Sequence, residues 1–194
     1  MSTGIILLLS SILLASLPTF RRQAKTNDAA STILIAAQDA RQKSITVKQF
    51  QGSIYPSYGL SFDTALPQSV TIYADCVADD NADGKLDNLD SFVYNSASTA
   101  CGGASGNGFL ETRTFDSQVK ITQLRIVGQI SPAPVVPKAY IEFIRPQPSI
   151  WITGENGGTR TLLDYGSLEI TVKDDRGGNT KIINLYTSGR MEIQ

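Results

Sequence analysis

The sequence predicts an α+β protein: one long N-terminal helix, apolar and then amphipathic, packed on an antiparallel β-sheet head. Three observations carry this. Residues 4–17 are apolar except for Ser10, Ser11 and Ser16. Beyond Pro18, the residues Ala30, Ile33, Leu34, Ala37 and Arg41 recur at i, i+3, i+4, i+7 spacing, with Gln23, Lys25, Asn27, Asp28, Gln38 and Asp39 as polar positions among them. From residue 58 onward the dominant period is two, broken by glycine, proline and Asp/Asn clusters.

The helix divides into an apolar half (residues 1–23) and an amphipathic half (24–49), with a proline kink or local melt expected at Pro18. The apolar run is shorter than the ~20 residues that span a bilayer. The nearby cations Arg21 and Arg22 follow the run, whereas cytoplasmic flanks normally carry them. We therefore expect the reading frame to extend upstream of Met1. The competing reading is a cleaved signal peptide with Ala15-Ser16 near its cut site. It lacks a basic leading region and leaves the helical pattern of residues 23–41 unexplained. Under either reading the chain leaves the cytoplasm.

Fraying is expected over residues 43–49, where Ile45, Thr46 and Val47 are β-branched. The head then occupies residues 50–194. After a loop at 50–57, strands are expected at 58–62 and 69–75, joined by a turn at 63–68. A short strand at 92–94 and a Ser/Ala/Gly/Asn-rich excursion at 95–108 follow an acidic loop. Further strands are expected at 109–115, 119–127, 139–144, 150–153, 167–173, 181–186 and 190–193. The proline-rich stretch 131–137 reads as a stiff extended connector, and 174–179 as a hairpin loop using its glycines.

The acidic loop carries the most specific motif. Asp79, Asn81 and Asp83 stand at positions one, three and five of an EF-hand-type loop, and Gly84 at six, where the chain must turn sharply. Lys85 would offer its backbone carbonyl at seven, Leu86 would point inward at eight, and Asp87 at nine would bind directly or through water. Asp90 holds position twelve in place of the usual bidentate glutamate, as in dockerin-type loops. The hard oxygen set suits Ca²⁺ better than Mg²⁺. Strand-like flanks make it a structural clamp rather than a sensor. The bland alternative is a solvated acidic turn, which leaves Asp79, Asp80, Asp83, Asp87 and Asp90 repelling one another.

Composition narrows the function. Net charge is −1, which argues against a strongly electrostatic nucleic-acid binder. Histidine is absent, which removes Ser-His-Asp and Cys-His arrangements and the usual zinc sites. In an exported chain the two cysteines, Cys76 and Cys101, most simply form one disulfide around the acidic loop, stabilising by a few kcal/mol on the chain-entropy model. Two buried free thiols are the alternative. Asp174, Asp175 and Arg176 read as a solvated hairpin tip. Trp151 would face away from the core if Ile150 and Ile152 face in, either as a partner contact or as a partly buried aromatic.

The order of these features resembles the type IV pilin superfamily. Leu17-Pro18-Thr19-Phe20-Arg21-Arg22 is similar to the segment that ends the membrane half of a pilin helix. Tyr58-Gly59, then Phe62, then Ile72-Tyr73-Ala74-Asp75 with the acidic run, resembles minor pseudopilins of type II secretion, the H-type or FimT-like group. The final stretch from Ile183 through Gly189-Arg190 to Ile193 is similar to that group's last hairpin. The family's leader and processed start do not precede Pro18 in this sequence, and alignment on Pro18 places Met1 a few residues inside the mature helix. The resemblance implies a non-enzymatic structural subunit of a pseudopilus or type IV pilus. Its implied partners are other pilins through the helix, the inner-membrane assembly platform and membrane lipid, with the head outside the cytoplasm. Arg21, Arg22 and Lys25 are expected on lipid headgroups or a neighbouring subunit's acidic residue. A membrane-anchored or secreted calcium-dependent adhesion module is the alternative.

Overall fold

The computed structural model describes residues 2–46, 57–76, 106–128, 132–144, 149–157, 159–163, 166–176 and 178–194, for residues 2–16 and a few others as backbone alone. Helix α1 (Ser2–Ile45) runs unbroken through Pro18, so the local melt expected there is not present. Proline removes one backbone donor; the turns on either side keep the helix continuous. The helix stops inside the expected fraying interval, and the Thr46 amide and hydroxyl both donate to the Gln42 carbonyl at 2.9 Å.

The strands follow in the order β1 (Ser57–Asp63), β2 (Ser69–Cys76), β3 (Gly106–Thr114), β4 (Val119–Gly128), β5 (Val135–Val136), β6 (Lys138–Ile144), β7 (Ser149–Asn156), β8 (Thr159–Leu163), β9 (Gly166–Asp174), β10 (Thr180–Tyr186) and β11 (Met191–Ile193). They form two antiparallel sheets, ordered β3-β2-β1-β6-β7-β8 and β11-β10-β9-β4-β5. The chain thus builds half of one sheet, crosses for two strands, returns, and finishes in the second. One N-terminal helix with antiparallel strands agrees with the α+β expectation at that level. The head is two sheets rather than one, and the described residues are mostly β.

Several strands correct the sequence reading: β3 starts at Gly106, within the expected 95–108 excursion, where it pairs with the end of β2. β7 continues to Asn156 and pairs with β8, a strand that was not expected. β5 lies within the proline-rich connector, pairing Val135 and Val136 with Arg125 and Leu124. Proline cannot donate to a ladder and is tolerated at sheet edges, and β5 is an edge strand. The hairpin at 174–179 closes through side chains: the Asp174 carboxylate accepts from the Gly178 N–H at 2.8 Å and the Asn179 amide at 3.1 Å. Gly178 is not among the positive-φ glycines. The 92–94 strand expectation falls outside the described residues.

The core lies between the two sheets and the helix. Leu60, Phe62, Ile72, Ile141 and Ile152 enter it from the first sheet, and Ile121, Leu124, Ile126, Leu168 and Ile170 from the second. Each fully buried aliphatic of this kind contributes about 1.5–3 kcal/mol. On α1 the buried face is Thr26, Ala29, Ala30, Ile33, Ala36, Ala37, Ala40 and Ser44, which keeps the predicted helical spacing. The many alanines let the helix axis approach the sheets closely. Ser44 is pinned where its hydroxyl donates to the Phe143 carbonyl at 2.7 Å. In β4 the buried side switches from Val119 and Ile121 to Leu124 and Ile126 because a β-bulge shifts the register between Ile121 and Gln123.

Candidate functional site

The helix leaves the head at a defined point. Thr26 is buried, whereas residues 17–21 and 23–24 are exposed, Phe20 at 65 % and Leu17 at 45 %. Two large apolar side chains therefore stand in solvent immediately below the head. Among the described residues no helix is long and apolar enough to cross a membrane.

Acidic groups of the head surround that exit. The Lys25 ammonium lies 2.9 Å from an Asp116 oxygen and donates to the Gln118 side-chain oxygen at 3.0 Å. Lys25 thus has an acidic partner within its own chain, in addition to whatever its solvent-facing side meets. Its reach onto the β3–β4 turn ties the helix to the head at this height. The Gln118 backbone N–H and the Lys25 ammonium hold the Asp116 carboxyl below the usual range. Burial pushes the Asp174 carboxyl up, but the Gly178 and Asn179 donors and the nearby Arg22 charge outweigh it and lower it. Asp175 and Arg176 are exposed, as expected for a solvated tip, but Asp174 is buried, because its carboxylate closes the hairpin from inside. Arg21 is exposed beside Phe20.

Higher on the helix a second group ties α1 to β3. Asp39 accepts from Lys43 one turn away and from Arg113 at 2.6 Å, and Arg113 also donates to Glu111. Burial raises the Asp39 carboxyl, and the hydrogen bonds and charges of Lys43 and Arg113 overcome this and lower it. The hydrogen bond to Glu111 leads the effects that raise Arg113 above its ordinary value.

The loop expected to hold calcium springs from the first sheet. β2 ends at Cys76, which pairs in register with Gly106 at the start of β3. Residues 77–105 therefore leave and return at one place, closed at the base by a two-strand ladder. Asp79, Asn81, Asp83, Lys85, Asp87 and Asp90 lie outside the described residues, as does Cys101, the expected partner of Cys76. Among the described residues, no group of three or more Asp, Glu or Cys side chains could hold a metal ion.

The outer face of the first sheet carries polar chemistry that sequence reasoning missed. One row across it is Tyr73, Gly59, Glu142 and Trp151. Glu142 is 1 % exposed, and its carboxylate accepts from the Tyr73 hydroxyl at 2.8 Å. The Tyr73 ring lies over Gly59, where an added Cβ would meet it at 2.5 Å and the Ile141 carbonyl at 2.6 Å. A glutamate stands inside the otherwise apolar run 139–144, but its neighbours Gly59 and Tyr73 are brought to it only by strand pairing. Trp151 faces away from the core and is half-buried, while Ile150 and Ile152 point inward.

In the next row Tyr140 donates to Glu155 at 3.3 Å, and beside it a pocket of about 140 Å³ opens over β1, β2 and β6. Chemically, the described residues offer an exposed apolar helix end, a charged collar around it, and a polar sheet face. Searches against protein-family models, curated proteins and solved structures found no match to this chain.

Proposed function

We propose that the protein is a minor pilin or pseudopilin, a structural subunit that assembles through its N-terminal helix and carries a β head at the filament surface. The observation that supports this most is the asymmetry of α1. The helix extends from Ser2 to Ile45, yet among its described side chains the buried ones begin at Thr26, and Leu17 and Phe20 are exposed where it leaves the head. A globular protein gains nothing from holding a long apolar helix end in water; a membrane or a bundle of like helices removes that cost. Lys25 and Asp39 anchor the helix to the head at two heights, so pull on the helix passes into the sheets through ion pairs and the alanine-lined core. Calcium at the loop 79–90, with a disulfide between Cys76 and Cys101, would staple the excursion that starts at the β2–β3 base.

In this reading the protein is stored in the inner membrane with its head outside the cytoplasm, is drawn into a filament by the assembly platform, and catalyses nothing. The test is to place a charge in the apolar run. Leu8→Arg costs ~2.5–3.5 kcal/mol at the centre of a hydrocarbon layer. The full chain carrying it should leave the membrane fraction and disappear from sheared filaments. Unchanged membrane retention would overturn the proposal. A calcium-dependent binding module is the second reading, favoured by the polar pocket on the head's outer face.

A further inference from the structure

The pocket over β1, β2 and β6 has an unusual charge arrangement. Asp63 and Lys138 face each other across it, with their Oδ2 and Nζ atoms 3.7 Å apart. That gap exceeds a hydrogen bond. The other Asp63 oxygen is already used, accepting from the Ala65 N–H at 2.8 Å. The pocket therefore presents an ion pair without a direct hydrogen bond, so its carboxylate oxygen and its ammonium both keep hydrogen-bonding capacity for a ligand. Their charges cancel at close range, so an isolated anion meets Asp63 and an isolated cation meets Lys138, each unfavourably.

The rest of the lining fits the same kind of ligand. Hydroxyls come from Ser61 of β1 and from Ser69 and Thr71 of β2. The Ser69 hydroxyl donates to the Leu66 carbonyl at 3.2 Å, and Thr71 shares a 3.3 Å bond with Thr112, which leaves oxygen lone pairs in both able to accept. Leu66, 63 % exposed on the β1–β2 turn, gives an apolar rim, and the buried ring of Tyr140 lines the pocket with its hydroxyl directed to Glu155.

We propose that this pocket binds a single ring of a neutral, hydroxyl-rich saccharide. Each sugar hydroxyl both donates and accepts, so neighbouring hydroxyls bridge the Asp63 carboxylate and the Lys138 ammonium. The apolar C–H face of the ring rests on Leu66. A volume of about 140 Å³ suits a ligand the size of one ring. With so few contacts the affinity is on the order of millimolar. The inference does not depend on helix-driven assembly, since the pocket belongs to the head alone.

The test is saturation-transfer NMR on the full chain in a zwitterionic detergent without a sugar headgroup. The probes are glucose, galactose, mannose and N-acetylglucosamine, with acetate and methylammonium as competitors. At least one sugar should show saturable transfer that neither ion displaces. Asp63→Asn and Lys138→Met should each weaken it about tenfold or more without moving the melting temperature. Should a charge variant melt early, Ser61→Ala gives the same readout with a smaller loss. Absence of saturable transfer from every sugar, displacement by either ion, or equal binding by the variants would overturn the proposal.

Discussion

Gly154 is a position where the two sheets pack in direct contact, and adding a single methyl there gives a calculable effect. In β7 its hydrogen points at β4 and β5: a Cβ would lie 2.1 Å from Ile126 Cδ1 and 3.0 Å from Val136 Cγ1. Ile126 is 1 % exposed and Val136 is 4 % exposed, so neither side chain has open space to retreat into. Gly154→Ala should therefore cost about 1–3 kcal/mol, the range for overpacking a filled interior. For a chain of this size each kcal/mol lowers the melting temperature by roughly 2–4 °C. Ile126→Val deletes the clashing Cδ1 and alone costs about 0.5–1.5 kcal/mol. The double variant should be more stable than the two single losses predict, with a coupling energy on the order of 1 kcal/mol. Urea denaturation followed by circular dichroism measures all four corners of the cycle. Strict additivity, or a Gly154→Ala variant as stable as the parent, would refute the face-to-face packing of β7 on β4.

The remaining predictions concern the helix, the buried carboxylate and the loop. Ser44→Ala should lose about 1 kcal/mol by removing a buried hydrogen bond to the Phe143 carbonyl, measured by the same denaturation. Asp39→Asn should cost under about 1 kcal/mol at neutral pH, since its ion pairs are partly solvated. The folded Asp39 carboxyl is lowered from 3.8, so its contribution is present above that value and is lost as pH falls through the lower folded one. The difference between parent and variant should then vanish in strong acid. Tyr73→Phe keeps the ring over Gly59 and removes the hydroxyl that Glu142 accepts, for a loss of about 1–3 kcal/mol. Calcium should raise the melting temperature of the full chain, chelator should reverse this, and Asp83→Ala should abolish it; no shift at millimolar calcium reduces the loop to an acidic turn.

Where one period governs a segment, the sequence could be read directly. Ala30, Ile33 and Ala37 mark the buried helix face, and strands such as β2 and β9 alternate cleanly enough to be placed within about two residues. The missed strands are those without such a signature. β5 is a two-residue edge strand between prolines, and β8 is a short run ending in two leucines. β8 did leave a clue, because Asn156-Gly157-Gly158 is a strong hairpin signal, and Gly157 has φ 58° between the paired Asn156 and Thr159. The spacing of Val119, Ile121, Leu124 and Ile126 also records the bulge in β4. Division into two sheets left no local trace, since alternation specifies which side of a strand is buried and says nothing of which sheet covers it. The polar face was invisible for a related reason: Tyr73, Gly59 and Glu142 become neighbours only through the β2-β1-β6 pairing. The metal motif is the opposite case, contiguous in sequence and outside the described residues.

Helix-driven assembly is tested most directly by photo-crosslinking in cells, with a photoreactive residue at Phe20 and, as a control, at Ala36. Phe20 is 65 % exposed on the free part of α1, and Ala36 is buried against the head. Crosslinks from Phe20 to another copy or to a second helical subunit, with none from Ala36, are the predicted result. A Phe20 probe that labels nothing beyond its own chain, under conditions where the protein is membrane-retained, would contradict it.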